Sequence, residues 1–171
     1  VHHHPSRSVS VVGITGTNGK TTTSYLTAAA VAAAGGRVGR LGTLGFAFED
    51  EVVDSALTTP EADEVTRLVA RIRNRGGSHL VMEASSHALS LCRVEALSFA
   101  VAVFTNLTQD HLDFHGSMDA YAAAKLRLFT ELSPKVAVVN VDDAFGVTIA
   151  EGASGRVLRV SKRPGGADVC P

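Results

Sequence analysis

Ten residues near the start of the chain have the types and spacing of a phosphate-binding turn: Gly13-Ile14-Thr15-Gly16-Thr17-Asn18-Gly19-Lys20-Thr21-Thr22. Gly16 and Gly19 let backbone N–H groups close around phosphate oxygens, and a helix starting there adds partial positive charge. Lys20 supplies a full charge for the terminal phosphates of a nucleoside triphosphate, and Thr21 offers a hydroxyl to Mg²⁺. The usual pattern places a glycine five residues before Gly19; Ile14 stands there, and Gly13 lies one place too early. A glycine-rich strand-to-helix turn that holds no nucleotide is the alternative, and the Gly-Lys-Thr ending speaks against it.

Three further places resist a purely structural explanation. Glu83 closes the apolar run Leu80-Val81-Met82. An acid at the end of a strand beside a phosphate loop orients Mg²⁺ or its water; a helix cap or a partner for an arginine is the other reading. The string Gln109-Asp110-His111-Leu112-Asp113-Phe114-His115-Gly116 sets His111 and His115 four apart, a zinc-like spacing. Leu112, however, stands where the zinc-protease pattern needs a glutamate. With Gly116 against a long helix, a loop presenting His111 to a phosphate or metal is the better reading. For His115, hydrogen bonding within a loop serves as well as catalysis. Lys125 shares a helical stripe with Met118, Tyr121, Leu128 or Phe129, and Leu132, where a lone ammonium is costly. Such a lysine either snorkels to the edge or loses its proton through burial. A neutral amine can add CO₂ and become a carbamate, an anionic oxygen ligand of the kind Mg²⁺ prefers.

Alternating strands and helices must position these groups. Residues 9–14 read as a buried strand, and residues 21–34 as a helix ended by Gly35-Gly36. Residues 38–48 read as one glycine-punctuated strand before the acidic turn Glu49-Asp50-Glu51. Thr59 is placed to cap the next helix and Pro60 to occupy its first position, with Val65, Leu68, Val69 and Ile72 forming its buried face. Strands are expected at 79–84, 99–104, 135–141 and 156–160, with helices after Ser117 and from about Asp143. This order predicts an α/β fold: a mostly parallel sheet with right-handed crossovers, flanked by helices in the manner of phosphate-loop NTPases. The loop 13–20, Glu83, Asn106 and Asp142 all fall at carboxyl ends of strands, where such sheets bind ligands.

The chain has 171 residues, 45% hydrophobic and 19% charged, which suits one soluble domain with a real core. A net charge of −1 provides no basic field for nucleic acid and no attraction to a membrane surface. No apolar run reaches the ~20 residues that span a bilayer, and no secretory leader is visible. Cys92 and Cys170 are too few and too far apart for a disulfide framework or a metal clip, which fits a reducing cytoplasm. There is no initiator Met, and the tail after Pro164 is expected to end without a closing element. His2-His3-His4 is either the remainder of a tag or natural sequence, and no function is assigned to it.

Together these residues resemble the central, ATP-binding domain of the Mur ligases, in the branch that adds the third residue of the peptidoglycan stem peptide. The supporting strings are the loop 13–22, Thr58-Thr59-Pro60-Glu61, Glu83-Ala84-Ser85-Ser86-His87-Ala88, residues 105–116, Tyr121-Ala122-Ala123-Ala124-Lys125 and Asn140-Val141-Asp142-Asp143. Order and spacing agree from about residue 5 to residue 160. The family's own loop, Thr-Gly-Thr-Asn-Gly-Lys-Thr, also accounts for the displaced glycine.

The resemblance implies roles. Gly16, Thr17, Asn18, Gly19, Lys20, Thr21 and Thr22 would hold the ATP phosphates, with Asn106 and Asp110 lining that side and Asn140 and Asp143 lying toward the nucleotide. Thr21 and Glu83 would bind one Mg²⁺, and Glu83, His111 and Lys125 as N6-carboxylysine a second. Lys20, Glu83, His111 and Lys125 would form the catalytic group. Thr58, Thr59, Ser85 and Arg93 would contact a UDP-N-acetylmuramoyl dipeptide; Leu57 and Leu91 depart from the asparagine and glutamine found in some relatives. The implied reaction is ATP-driven amide formation with a diamino acid (meso-diaminopimelate or L-lysine) through an acyl phosphate, in the bacterial cytoplasm, by a monomer. Residues 1–8 would link to an absent UDP-binding domain, and residues 9–171 would be a truncated ATP-binding domain. The alternatives are an isolated nucleotide-binding fragment without activity, or a folylpolyglutamate- or cyanophycin-synthetase-like ligase, which the string 110–116 fits less well.

Overall fold

The computed structural model describes residues 4–163 and 165–170; His2, His3 and Pro164 of the segments discussed above lie outside the described residues. A short 3₁₀ turn (Pro5–Arg7) leads into β1 (Ser10–Thr15), whose residues are buried after Ser10. Helix α1 (Lys20–Ala33) follows the glycine-rich turn directly. The region expected as one strand folds instead as β2 (Val38–Gly42) and β3 (Gly45–Phe48), an antiparallel hairpin closed at Gly42↔Gly45. Gly45 has φ +82°, so the chain reverses where a side chain would be strained. A third short strand, β4 (Glu51–Val53), pairs with β3.

Helix α2 (Ala62–Asn74) buries Val65, Leu68, Val69 and Ile72, as their spacing predicts. Its start differs from the sequence reading. Glu61 occupies the N-cap without a side-chain hydrogen bond, and Thr59 is drawn away by Glu83 and Ser85. Strand β5 (His79–Glu83) then leads into a short helix, α3 (Ser86–Ser90), capped by the Ser85 hydroxyl. Next come β6 (Phe99–Phe104), one helical turn α4 (Leu112–His115), and α5 (Met118–Thr130) capped by Ser117. The order ends with β7 (Val136–Asn140), α6 (Ala144–Gly152) capped by Asp143, and β8 (Arg156–Val160). The tail has a closing contact after all: Val169 bridges to Val160, and the amides of Asp168 and Val169 bond the Arg159 carbonyl.

The sheet runs β4-β3-β2-β5-β1-β6-β7-β8, parallel from β2 through β8 and antiparallel only at the β3 and β4 edge. The main core fills one face, where α2, α3, α5 and α6 bury Leu68, Ile72, Leu89, Leu128, Phe129 and Ile149 against Leu80, Met82, Phe104 and Val139. The other face holds a smaller cluster of Val12, Ile14 and Val81, joined by Ala28 of α1. Among the described residues no helix is long and apolar enough to cross a membrane.

Candidate functional site

The turn between β1 and α1 is shaped by its glycines. Gly16 has φ +145°, and a Cβ there would lie 1.9 Å from the Thr105 hydroxyl, so only glycine lets the two loops meet. Gly19 has φ +84° and opens the helix, whose first amide directed back to it is that of Thr23, 2.9 Å from its carbonyl. The amides of Lys20, Thr21 and Thr22, ahead of Thr23, therefore belong to the turn's mouth, the arrangement that favours an anion.

Loop 105–108, beyond β6, laces this turn in place. Thr17 N–H donates to the Asn106 carbonyl at 2.8 Å, and Asn18 N–H to the Asn106 side chain at 3.0 Å. Thr105 Oγ1 and Asn106 Nδ2 both donate to the Asn18 carbonyl. The Thr17 hydroxyl donates to the Thr108 carbonyl and accepts from the Thr108 amide. Asn140 and Asp143 hold the loop from behind: Asn140 Nδ2 donates to the Thr105 carbonyl, and an Asp143 carboxylate oxygen accepts from Leu107 N–H. Both of these side chains are therefore engaged in shaping the loop.

Two lysines converge on one carbonyl. Lys20 Nζ lies 2.8 Å from the Gly16 carbonyl and 2.8 Å from that of Thr17; Lys125 Nζ reaches the Gly16 carbonyl at 3.2 Å. Burial lowers the Lys20 pKa, opposed by the nearby Glu83 and Asp110 charges. Lys125 is only 1% exposed, its ammonium 4.2 Å over the Tyr121 ring. Burial, with the Lys20 charge adding to it, pushes its pKa from 10.5 down to about 7. Snorkelling is thus not what this side chain does. Tyr121, read from the sequence only as core, also places its hydroxyl 3.1 Å from Thr17 Oγ1.

Glu83 is the buried carboxylate of the site, 1% exposed at the end of β5. The Thr21 hydroxyl donates to its Oε2 at 3.0 Å. Thr43, at the tip of the β2–β3 hairpin, donates its amide to Oε1 at 3.0 Å and its hydroxyl to Oε2 at 3.1 Å. The sequence reading missed Thr43; its signal was a threonine directly after a glycine at a strand end, hidden while residues 38–48 read as one strand. The oxygen-rich pair Thr21 and Glu83 has the donor chemistry of a Mg²⁺ site.

His111 is carried by the segment between β6 and α4. It sits at φ +51° ahead of α4, with Nε2 3.5 Å from Asp110 and its ring beside those of His87 and Tyr121. His115 contacts the Ser86 hydroxyl at 3.0 Å, the loop hydrogen bond foreseen as one of its readings. Burial lowers the pKa of His87 and His115 below the usual histidine range. Among the described residues no three His, Cys, Asp or Glu side chains gather as a metal site.

The substrate candidates gather in a neighbouring cleft lined by Ala56, Leu57, Thr58, Thr59, Ser85, His87, Arg93 and His111. The Thr59 hydroxyl donates to the Glu83 carbonyl at 2.7 Å and accepts from Ser85 N–H at 3.1 Å. Arg93 donates to the Thr59 carbonyl at 3.2 Å and pairs with Glu61 at 2.6 Å, while its buried Nε finds no partner among the described residues. Cleft and phosphate turn therefore meet at Glu83, whose side chain faces one and whose carbonyl faces the other.

Comparison with known proteins gives the chain's family. The sequence profile described as the Mur ligase middle domain matches residues 14–169. A UDP-N-acetylmuramoyl-L-alanyl-D-glutamate–2,6-diaminopimelate ligase of Xylella fastidiosa is 45% identical over 99% of this chain and 33% of its own length. The ligase of the same name from Corynebacterium glutamicum is 50% identical over 90% of this chain and 30% of its own. A solved structure of a ligase of that name superposes with a TM-score of 0.85 at 34% identity, covering 94% of this chain and 33% of the other. A Mycobacterium tuberculosis folylpolyglutamate synthase complexed with ADP shares the fold at a TM-score of 0.70 and 19% identity, over 93% of this chain and 44% of the other. The chain thus spans about a third of the length of the curated relatives it matches. The chain belongs to the Mur ligase family, as a middle domain.

Proposed function

We propose that this chain is the ATP-binding part of a ligase that joins a diamino acid, meso-diaminopimelate or L-lysine, to UDP-N-acetylmuramoyl-L-alanyl-D-glutamate in bacterial cell-wall synthesis. The observation that carries the reading is Glu83, a buried carboxylate bonded to Thr21 of a glycine turn that also draws in Lys20 and Lys125. Relatives at 45% and 50% identity bear the diaminopimelate ligase name, which favours diaminopimelate. Residues 9–171 serve as the nucleotide-binding unit and residues 1–8 as its connection. By itself the chain binds nucleotide with little or no turnover, as a monomer in the cytoplasm.

In this reading the amides of residues 19–22 and Lys20 neutralise the β- and γ-phosphates, while Gly16, Thr17 and Asn18 shape the turn around them. Thr21 and Glu83 would hold one Mg²⁺, and Glu83, His111 and carbamylated Lys125 a second; such ions would supply positive charge beside the γ-phosphate. The lowered pKa of Lys125 keeps a share of its amine neutral near pH 7, the form that adds CO₂. Asn106 and Asp110 line the phosphate side, and Asn140 and Asp143 keep the loop that carries Asn106 in register. Thr58, Thr59, Ser85 and Arg93 seat the muramoyl peptide so that its carboxylate faces the γ-phosphate.

That carboxylate oxygen bonds to the γ-phosphorus as the bond to the ADP oxygen breaks, giving an acyl phosphate. The amino acid's amine then attacks the acyl carbon and inorganic phosphate departs. No side-chain nucleophile is needed, so the residues position reactants and hold charge. In the full-length protein, phosphate release from ATP is expected only when both the muramoyl dipeptide and the diamino acid are present. ATP hydrolysis indifferent to both would contradict the ligase reading.

A further inference from the structure

Glu83 is gripped on both oxygens by one residue, Thr43. An ionised carboxylate accepts hydrogen bonds and cannot donate them. The single proton of the Thr43 hydroxyl therefore goes to Glu83 Oε2, 3.1 Å away. The Thr58 hydroxyl, 3.3 Å from the same Thr43 oxygen, must then be the donor in that contact. With Thr21 also donating to Oε2, the bonds form one directed chain: Thr58 to Thr43 to Glu83, met by Thr21.

The hairpin that carries Thr43 is built to let this happen. A Cβ on Gly42 would lie 2.1 Å from Glu83 Oε1, so the carboxylate occupies space that any other residue would fill. Gly45 reverses the chain immediately afterwards, and β2 lies beside β5, the strand Glu83 ends. The Thr43 amide and hydroxyl together fix the plane of the carboxylate, which a single bond would leave free to rotate.

We propose that Thr43 is a positioning residue that aims Glu83 at the cation and ties that aim to Thr58, in the cleft on the peptide side. This inference rests on the proposed cation role of Glu83. Outer partners of carboxylate ligands typically change metal affinity by roughly tenfold to a hundredfold, and the same range is expected here.

The test is calorimetric titration of the whole chain with ATP across a series of Mg²⁺ concentrations, for wild type, Thr43→Val, Thr43→Ser and Lys20→Ala. Thr43→Val keeps the side-chain shape and the amide while deleting the hydroxyl. It should raise the Mg²⁺ concentration needed for tight ATP binding at least tenfold and leave metal-free ATP affinity within about twofold. Thr43→Ser should restore the wild-type Mg²⁺ response. A merely structural role would weaken metal-free binding in Thr43→Val as well, which would overturn the proposal. An unchanged Mg²⁺ response in Thr43→Val, with Lys20→Ala still abolishing binding, would overturn Thr43 alone and leave the nucleotide site standing. Absence of any Mg²⁺ response in the wild type would remove both.

Discussion

At the scale of single residues the site is a balance between burial and charge. Lys125 sits where an ammonium is disfavoured, with its pKa at about 7 in the folded chain against 10.5 in the open one. Between those values the unfolded chain binds more protons, so stability rises with pH across that window. Linkage puts the gain between pH 7 and pH 9 at about 2 kcal/mol, read as a shift in denaturation midpoint in CO₂-free buffer. Lys125→Met should flatten that dependence; an equal slope in the variant would contradict the burial account. Lys125 was legible in the sequence because a charge on an apolar stripe breaks the pattern. Glu83 was legible for a similar reason, as an acid closing a run of buried apolar residues. Thr43 was not, because a threonine beside a glycine is ordinary in any loop, and its partner lies forty positions along the chain.

At the scale of elements, the phosphate turn is held by its neighbours more than by itself. Gly16→Ala would drive a Cβ to 1.9 Å from Thr105 Oγ1 and strain a φ of +145°. Loss of nucleotide binding is expected even though α1 itself is retained by circular dichroism. Asp143 joins two tasks, capping α6 through Phe145 N–H and holding Leu107 N–H. Asp143→Ala should cost about 1–3 kcal/mol of stability, more than a cap alone. Hydrogen exchange in residues 105–108 should rise with it, and a purely local effect at α6 would contradict the clamp. Helix α2 was readable from its apolar stripe, and α5 from its stripe and its Ser117 cap. The hairpin β2–β3 was not, because two strands joined at Gly42-Thr43-Leu44-Gly45 share one continuous apolar texture with a single strand. Thr59 misled for a related reason: its side chain is taken by a long-range partner, the Glu83 carbonyl, which local spacing does not reveal.

At the scale of the whole molecule, the parallel run from β2 to β8 sets the phosphate turn, Glu83, loop 105–108 and Asp143 along one edge, as alternating strands and helices required. That order of motifs accompanies membership of the Mur ligase family, and the chain spans about a third of the length of the ligases it resembles. The proposed function requires that this domain fold around a Mg²⁺-dependent ATP site. It is tested most directly by calorimetric titration of the chain with ATP, with and without Mg²⁺, beside Lys20→Ala. ATP binding is expected to strengthen with Mg²⁺ and to be abolished by Lys20→Ala without unfolding of the chain. A folded wild-type chain that binds no ATP, or a Lys20→Ala variant that binds as tightly, would contradict it.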